Sequence, residues 1–226
     1  MAEGALHGRA VVITGATGAL GGAVVEAFLQ AGASCFLPVR GAEAPPRRDR
    51  VQVTTGVDLT SEDRVTAYYA GLPPLWASVH LAGGFAGAPV LDLSLADLRR
   101  QLDINLVTAF LCSREAVRNM SAGSGGRIVN VASRAALVPG GGALAYAAAK
   151  AAVVALTRSL AEEVRPRGIL VNAVAPSIID SPANRAAMPA ADHARWPRPE
   201  DLARTILWLA SPENVLTSGA VIPAYG

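Results

Sequence analysis

Aromatic side chains are scarce in this chain, at 5% of 226 residues, so a core must be assembled from Ala, Val, Leu and Ile. Cysteine is scarcer still. Cys35 and Cys112 show no metal-ligand or redox spacing and both stand in apolar surroundings, which favours buried free thiols and a reducing, cytoplasmic compartment. No metal site is expected. Charge of one sign is also lacking. The formal net charge is +2 with no long basic block, which argues against nucleic-acid or membrane partners held by electrostatics. No apolar run reaches the roughly 20 residues of a membrane span. The first ten residues show no basic-then-apolar pattern, so no signal peptide is expected.

Glycine, by contrast, is plentiful at 22 residues, which suits tight turns and close backbone approach. Arg9 to Thr14 is a near-continuous apolar run, the mark of a strand covered on both faces. The glycine-rich turn Gly15-Ala16-Thr17-Gly18-Ala19-Leu20-Gly21-Gly22 follows at once, then a helical pattern through Gln30. A turn in that context offers backbone N–H groups and a helix N-terminus to a pyrophosphate, the alternative being an ordinary tight turn. A second strand spans Ser34 to Arg40, and a loop rich in Pro and Arg follows to Arg50. Where such a strand meets an adenosine ribose, an acid bonds the 2′-hydroxyl and an arginine accommodates a 2′-phosphate. This strand ends in Val39-Arg40 with no acid, so NADP(H) is favoured, with NAD(H) as the alternative. Arg47, Arg48 and Arg50 read equally well as a solvated loop.

Further strands are expected at Val51–Val53, Trp76–Leu81, Gly126–Val131, Gly168–Val174 and Gly219–Ile222. Helices are expected from Ser61 to about Ala70, within Ser94–Met120, from about Leu144 to Val164, and from Pro199 to about Ala210. Pro139–Gly142 reads as a flexible stretch and Ala175–Pro199 as a loop. Asn105 is a poor helix former that either serves a role or is exposed. This alternation, with no composition break and no repeat, predicts an α/β Rossmann fold: one domain over residues 1–226, a doubly wound parallel sheet with helices on both faces. The strand C-terminal ends would gather Gly15, Gly83, Ser133 and Pro176.

Ser133 closes the fifth strand, and Tyr146 and Lys150 lie four apart on the helix that follows, so both point into one space. A cation beside a phenol favours the phenolate, and a nearby hydroxyl can hold a polar substrate atom.

Together these residues resemble the short-chain dehydrogenase/reductase family over nearly the whole chain. Thr14-Gly15 through Gly21 is similar to its cofactor turn (Thr17, Gly18, Ala19 and Leu20 included). Asp58-Leu59 resembles its adenine contact and Ala82-Gly83 its turn after the fourth strand. Asn105, Ser133, Tyr146 and Lys150 fall in the order and spacing of its catalytic tetrad, and Asn172 to Pro176 resembles the segment leading onto the nicotinamide. The resemblance implies hydride transfer between a nicotinamide and a carbonyl or secondary alcohol. Tyr146 would give or take the proton, its pKa lowered by Lys150, which also holds the nicotinamide ribose. Ser133 would bond the carbonyl oxygen and Asn105 would anchor a water. Pro176, Ile179 and Ser181 would contact the cofactor, residues 178–199 would form a substrate lid, and a homodimer or homotetramer is the family habit. The chain departs from the pattern at Ala19, where the family has a glycine, at Ser177, and at His80, which reads as structural. Local stretches also resemble the dihydropteridine reductase branch, although Val39 and Ser133 pull away from it. A non-catalytic dinucleotide sensor or scaffold is the alternative of another class.

Overall fold

The computed structural model describes residues 4–41, 48–120, 125–138 and 140–226; Pro45, Pro46, Arg47 and Pro139 of the loops named above lie outside these. Seven parallel strands form one sheet: β1 (Ala10–Thr14), β2 (Ser34–Pro38), β3 (Val51–Thr54), β4 (Leu75–His80), β5 (Gly126–Val131), β6 (Ile169–Pro176) and β7 (Val221–Ala224). Their order is β3-β2-β1-β4-β5-β6-β7. The chain winds outward one way from β1 and the other way from β4, so a crevice opens between the C-terminal ends of these two strands, where open α/β sheets bind ligands.

Helices cover both faces: α1 (Gly21–Gln30), α2 (Glu62–Ala70), α3 (Leu95–Leu102), α4 (Thr108–Met120), α5 (Leu144–Val164), α6 (Pro182–Ala187) and α7 (Pro199–Ala210). The apolar run of β1 needs both layers. Val11 and Ile13 pack with Val24 and Phe28 of α1 and Ile206 of α7. Val12 points the other way, into a cluster with Val65 of α2, Leu111 of α4 and Val164 of α5. Strand residues of period two thus feed two cores. Among the described helices α5 alone is long and apolar enough to cross a bilayer by length and composition. Here its Ala149, Val153 and Ala161 are buried inside the fold.

The expected loop 175–199 contains α6, which sequence reading missed. Ser181 caps it by accepting from the Asn184 amide (3.2 Å), and Pro182 fills its first position. That is a helix-start signal the sequence did carry. The expected second strand also ends early, at Pro38, leaving Arg40 in the loop beyond it.

His80 is buried within a polar chain that ties the middle of the sheet to its helices. Its Nε2 meets the Ser78 hydroxyl (2.8 Å), and its Nδ1 meets Asn130 Oδ1 (2.8 Å) and the Ser113 hydroxyl (3.3 Å). Asn130 in turn donates to Thr157 of α5 (3.0 Å). The imidazole is structural, in line with the sequence reading. Burial pushes its pKa down to about 4. Below the ordinary histidine value of ~6.5 the unfolded chain takes up a proton that the native state refuses, so stability is lost as pH falls toward 4. The shift corresponds to about 3 kcal/mol. Urea unfolding at pH 7, 5 and 4 should show His80→Asn less stable than wild type at pH 7 but with a flatter acid limb. Parallel acid limbs would assign the loss to other groups.

Candidate active site

The crevice begins at the glycine turn. Gly15 has φ +68°, and a Cβ there would lie 2.7 Å from the Ala82 backbone nitrogen, so only glycine lets β1 and β4 close this tightly. The seam is completed by Thr14 Oγ1, which accepts from the Ala82 amide (3.2 Å). The amides of Gly18 and Gly21 close the turn onto the carbonyls of Gly15 and Gly18 (both 3.0 Å). Ala19 sits exposed in this turn without left-handed backbone, so the methyl that departs from the family pattern fits. Helix α1 starts without a side-chain cap or an acidic residue in its first turn. Its positive end therefore faces the crevice with no carboxylate to oppose an anion, which fits a pyrophosphate.

A cleft of about 390 Å³ runs from this turn, past Arg40, Asp58 and Leu59, to Ala82 and Gly83. Asp58 Oδ1 accepts from the Thr60 amide (3.0 Å) and hydroxyl (2.8 Å). These bonds, helped by the charge of Arg40, hold its carboxyl below the usual range. Thr60, Ile104 and Thr108 also line the cleft and were not foreseen. The Asp-x-Thr spacing, which lets an aspartate bond a residue two further on, was a signal for Thr60.

Asn105 is buried, which settles its alternative of exposure. It lies in a π-helical turn, Asp103–Val107, between α3 and α4. Its Nδ2 donates to the Gly84 carbonyl (2.9 Å) and to the Gln101 carbonyl four residues back (3.0 Å), while its Oδ1 accepts from the Gly84 amide (3.2 Å). A side chain that competes for backbone groups is what a widened turn accommodates. Gly83 is packed beside it. A Cβ there would lie 2.6 Å from Asn105 Oδ1 and 3.3 Å from Lys150 Nζ.

Ser133 follows β5 in extended backbone and accepts from the Ala135 amide (3.2 Å). Tyr146, half-buried, is the second residue after the start of α5, and the Ser133 hydroxyl stands near enough to it to favour the ionised phenol. Lys150 is buried one helical turn on, and its Nζ donates to the Val131 carbonyl (2.8 Å) while lying 5.9 Å from the Tyr146 ring centre. One expectation needs correction. Tyr146 is not lowered by Lys150: burial pushes the phenol above its ordinary value, and the nearby Ser133 hydroxyl opposes this. Burial also pushes Lys150 down to about 8, because losing water costs the ammonium more than one carbonyl returns.

The structure brings Asn105, Ser133, Tyr146 and Lys150 together at the crevice. Pro176 ends β6, and Ile179 packs on the α1–α7 core. The buried Ser181 hydroxyl is already engaged as the α6 cap. His193 bonds the Met188 carbonyl (2.8 Å) and its ring meets Trp196 (4.5 Å), so those two residues help pack this segment.

Residues 9–192 match the family model described as short chain dehydrogenase. The chain is 35% identical to cis-4-hydroxycyclohexanecarboxylate dehydrogenase of Sinomonas cyclohexanicum, over 96% of this chain and 95% of that one. It is 38% identical to galactitol 2-dehydrogenase of Rhizobium johnstonii, over 96% and 93%. The solved structure of ElxO with NADP bound superposes with a TM-score of 0.88 at 23% identity, covering 96% of this chain and 97% of that one, which shows a shared fold.

Proposed function

The chain belongs to the short-chain dehydrogenase/reductase family of oxidoreductases, and from that premise we propose that it interconverts a carbonyl and a secondary alcohol, with NADP(H) favoured over NAD(H) and Tyr146 as the acid–base residue. The observation that carries this reading is the half-buried Tyr146 beside Ser133, one helical turn from the buried ammonium of Lys150, whose Nζ lies 5.9 Å from the Tyr146 ring centre.

A nicotinamide cofactor supplies or takes the hydride when bound. The uncapped start of α1 and the turn Thr14–Gly21 would hold its pyrophosphate, Asp58 and Leu59 its adenine, and Ala82, Gly83, Pro176, Ile179 and Ser181 its remaining length. Tyr146 donates its proton to the carbonyl oxygen in reduction, and burial keeps that donor loaded through the neutral range. Ser133 bonds the same oxygen and fixes its position against the phenol. Lys150, held by the Val131 carbonyl, would bind the nicotinamide ribose. Asn105 holds the π-helical turn against Gly84 and supports a water beside Lys150.

Residues 178–199 are the substrate lid in this proposal, and the enzyme is a cytoplasmic homodimer or homotetramer. The buried thiols of Cys35 and Cys112, both pushed up to about 12 by loss of water, suit a reducing compartment. The exposed Phe110 of α4 and the exposed small residues Ala148, Ala151 and Ala155 of α5 support assembly through that helical face.

The test is oxidation of NADPH and NADH by the purified protein with a panel of ketones and quinonoid dihydropterin. NADPH oxidation with simple ketones is expected. No turnover with any carbonyl would favour the sensor reading, and turnover of the pterin alone would favour a pteridine reductase. Arg40→Ala should weaken NADPH binding about ten- to a hundredfold, the worth of a charge-assisted hydrogen bond, and change NADH binding little. Equal weakening of both would remove Arg40 from 2′-phosphate recognition.

A further inference from the structure

Phe85 follows the glycine pair after β4 and has no place in the chemistry described so far. Its ring packs edge-on against Tyr146, with centres 5.1 Å apart and planes at 80°. The side chain is nonetheless 69% exposed. It is held rather than loose. A Cβ on Gly87 would lie 3.1 Å from Phe85 Cζ and 2.5 Å from the Gly142 carbonyl oxygen, so the backbone behind the ring is pressed against the entry to α5. A parallel bridge between Ala88 and Ala143 fastens the two segments.

Other large apolar side chains stand exposed on the segments that flank Tyr146: Val90 and Leu91 after β4, Val138 and Leu144 before the tyrosine, and Ile178 after β6. These segments follow the C-terminal ends of β4, β5 and β6, the edge of an open α/β sheet where ligands bind, so exposed apolar groups there suit a ligand-binding surface. We propose that Phe85 is a specificity-determining residue, an aromatic wall beside the proton donor that selects ketones carrying a compact apolar ring over polyhydroxy ketones. The inference rests on Tyr146 being the proton donor. A ring seated on the free part of Phe85 gains aromatic or aliphatic contact and loses water, whereas a polyhydroxy chain leaves its hydroxyls facing carbon without hydrogen-bond partners.

The experiment compares kcat/KM for cyclohexanone and dihydroxyacetone with NADPH in the wild type, Phe85→Ala and Phe85→Tyr. Wild type should favour cyclohexanone by about tenfold or more. Phe85→Ala should lower that ratio about tenfold, chiefly through KM for cyclohexanone, and Phe85→Tyr should restore it. A preference for dihydroxyacetone, or a ratio untouched by Phe85→Ala, overturns the inference while leaving the catalytic reading intact. If the wild type reduces neither ketone, the catalytic reading is what fails. Calorimetric titration of cyclohexanol into both proteins then decides the wall itself: about tenfold weaker binding by Phe85→Ala supports it, and equal binding overturns it.

Discussion

Tyr146→Phe should lower ketone reduction by about 10²–10⁴-fold while NADPH affinity, read by fluorescence titration, stays within about threefold of wild type. The range is what a positioned proton donor contributes. The substitution removes one oxygen and keeps the ring that meets Phe85. It also leaves Ser133 with a partner, the Ala135 amide, so no buried hydroxyl is orphaned and the fold is spared. A variant retaining more than a tenth of wild-type activity would remove Tyr146 from the proton transfer. A variant that lost activity and cofactor together would point to damaged structure instead.

Gly21→Ala should weaken cofactor binding about ten- to a hundredfold and lower thermal stability. Gly21 is buried at the start of α1, and a Cβ there would overlap the Ala16 carbonyl. The obstruction is backbone, not the end of a flexible side chain, so the whole turn must move. Overpacking of this kind costs about 1–3 kcal/mol, and each 1.4 kcal/mol is a factor of ten. The neighbouring Gly22 is the control. It lies in the same helix, and a Cβ on it meets nothing within 4 Å. Gly22→Ala should hold or raise the melting temperature, since alanine is the better helix former by about 1 kcal/mol. Equal behaviour of the two variants, in binding and in melting, would show that the turn tolerates a methyl at Gly21.

The two glycines are adjacent letters in the sequence, and their different fates mark how far reading it can go. That a turn follows a buried strand and opens a helix was legible from Arg9 to Gln30, because a short apolar run and a helical period obey different local rules. Strand β5 and helix α5 were likewise read to their end residues. Helix α6 was missed because six residues bear little periodicity, although Ser181-Pro182 announced it. Asn105 was placed only by the family resemblance and not by its own residue type, since a buried asparagine and an exposed one look the same until Gly84 is seen beside it. His80 was rightly read as structural, but its partners Asn130, Ser113 and Thr157 come from other elements.

The sequence by itself carried the reaction class, through its resemblance to the short-chain dehydrogenase/reductase family. Tyr146 and Lys150 stand four apart on one helix, a spacing that local backbone geometry carries into space. It also determined the doubly wound sheet, through the alternation of buried strands and amphipathic helices. Only the tertiary structure decided the electrostatics of the site. The spacing of Tyr146 and Lys150 suggested a phenol made acidic by a cation. In the fold both groups lose water and the ammonium turns to the Val131 carbonyl, so the phenol rises and the lysine falls. Burial is a property of everything packed around a residue, and no spacing within the chain records it. The same holds for Phe85, whose place against Tyr146 depends on the loop after β4 meeting the entry to α5.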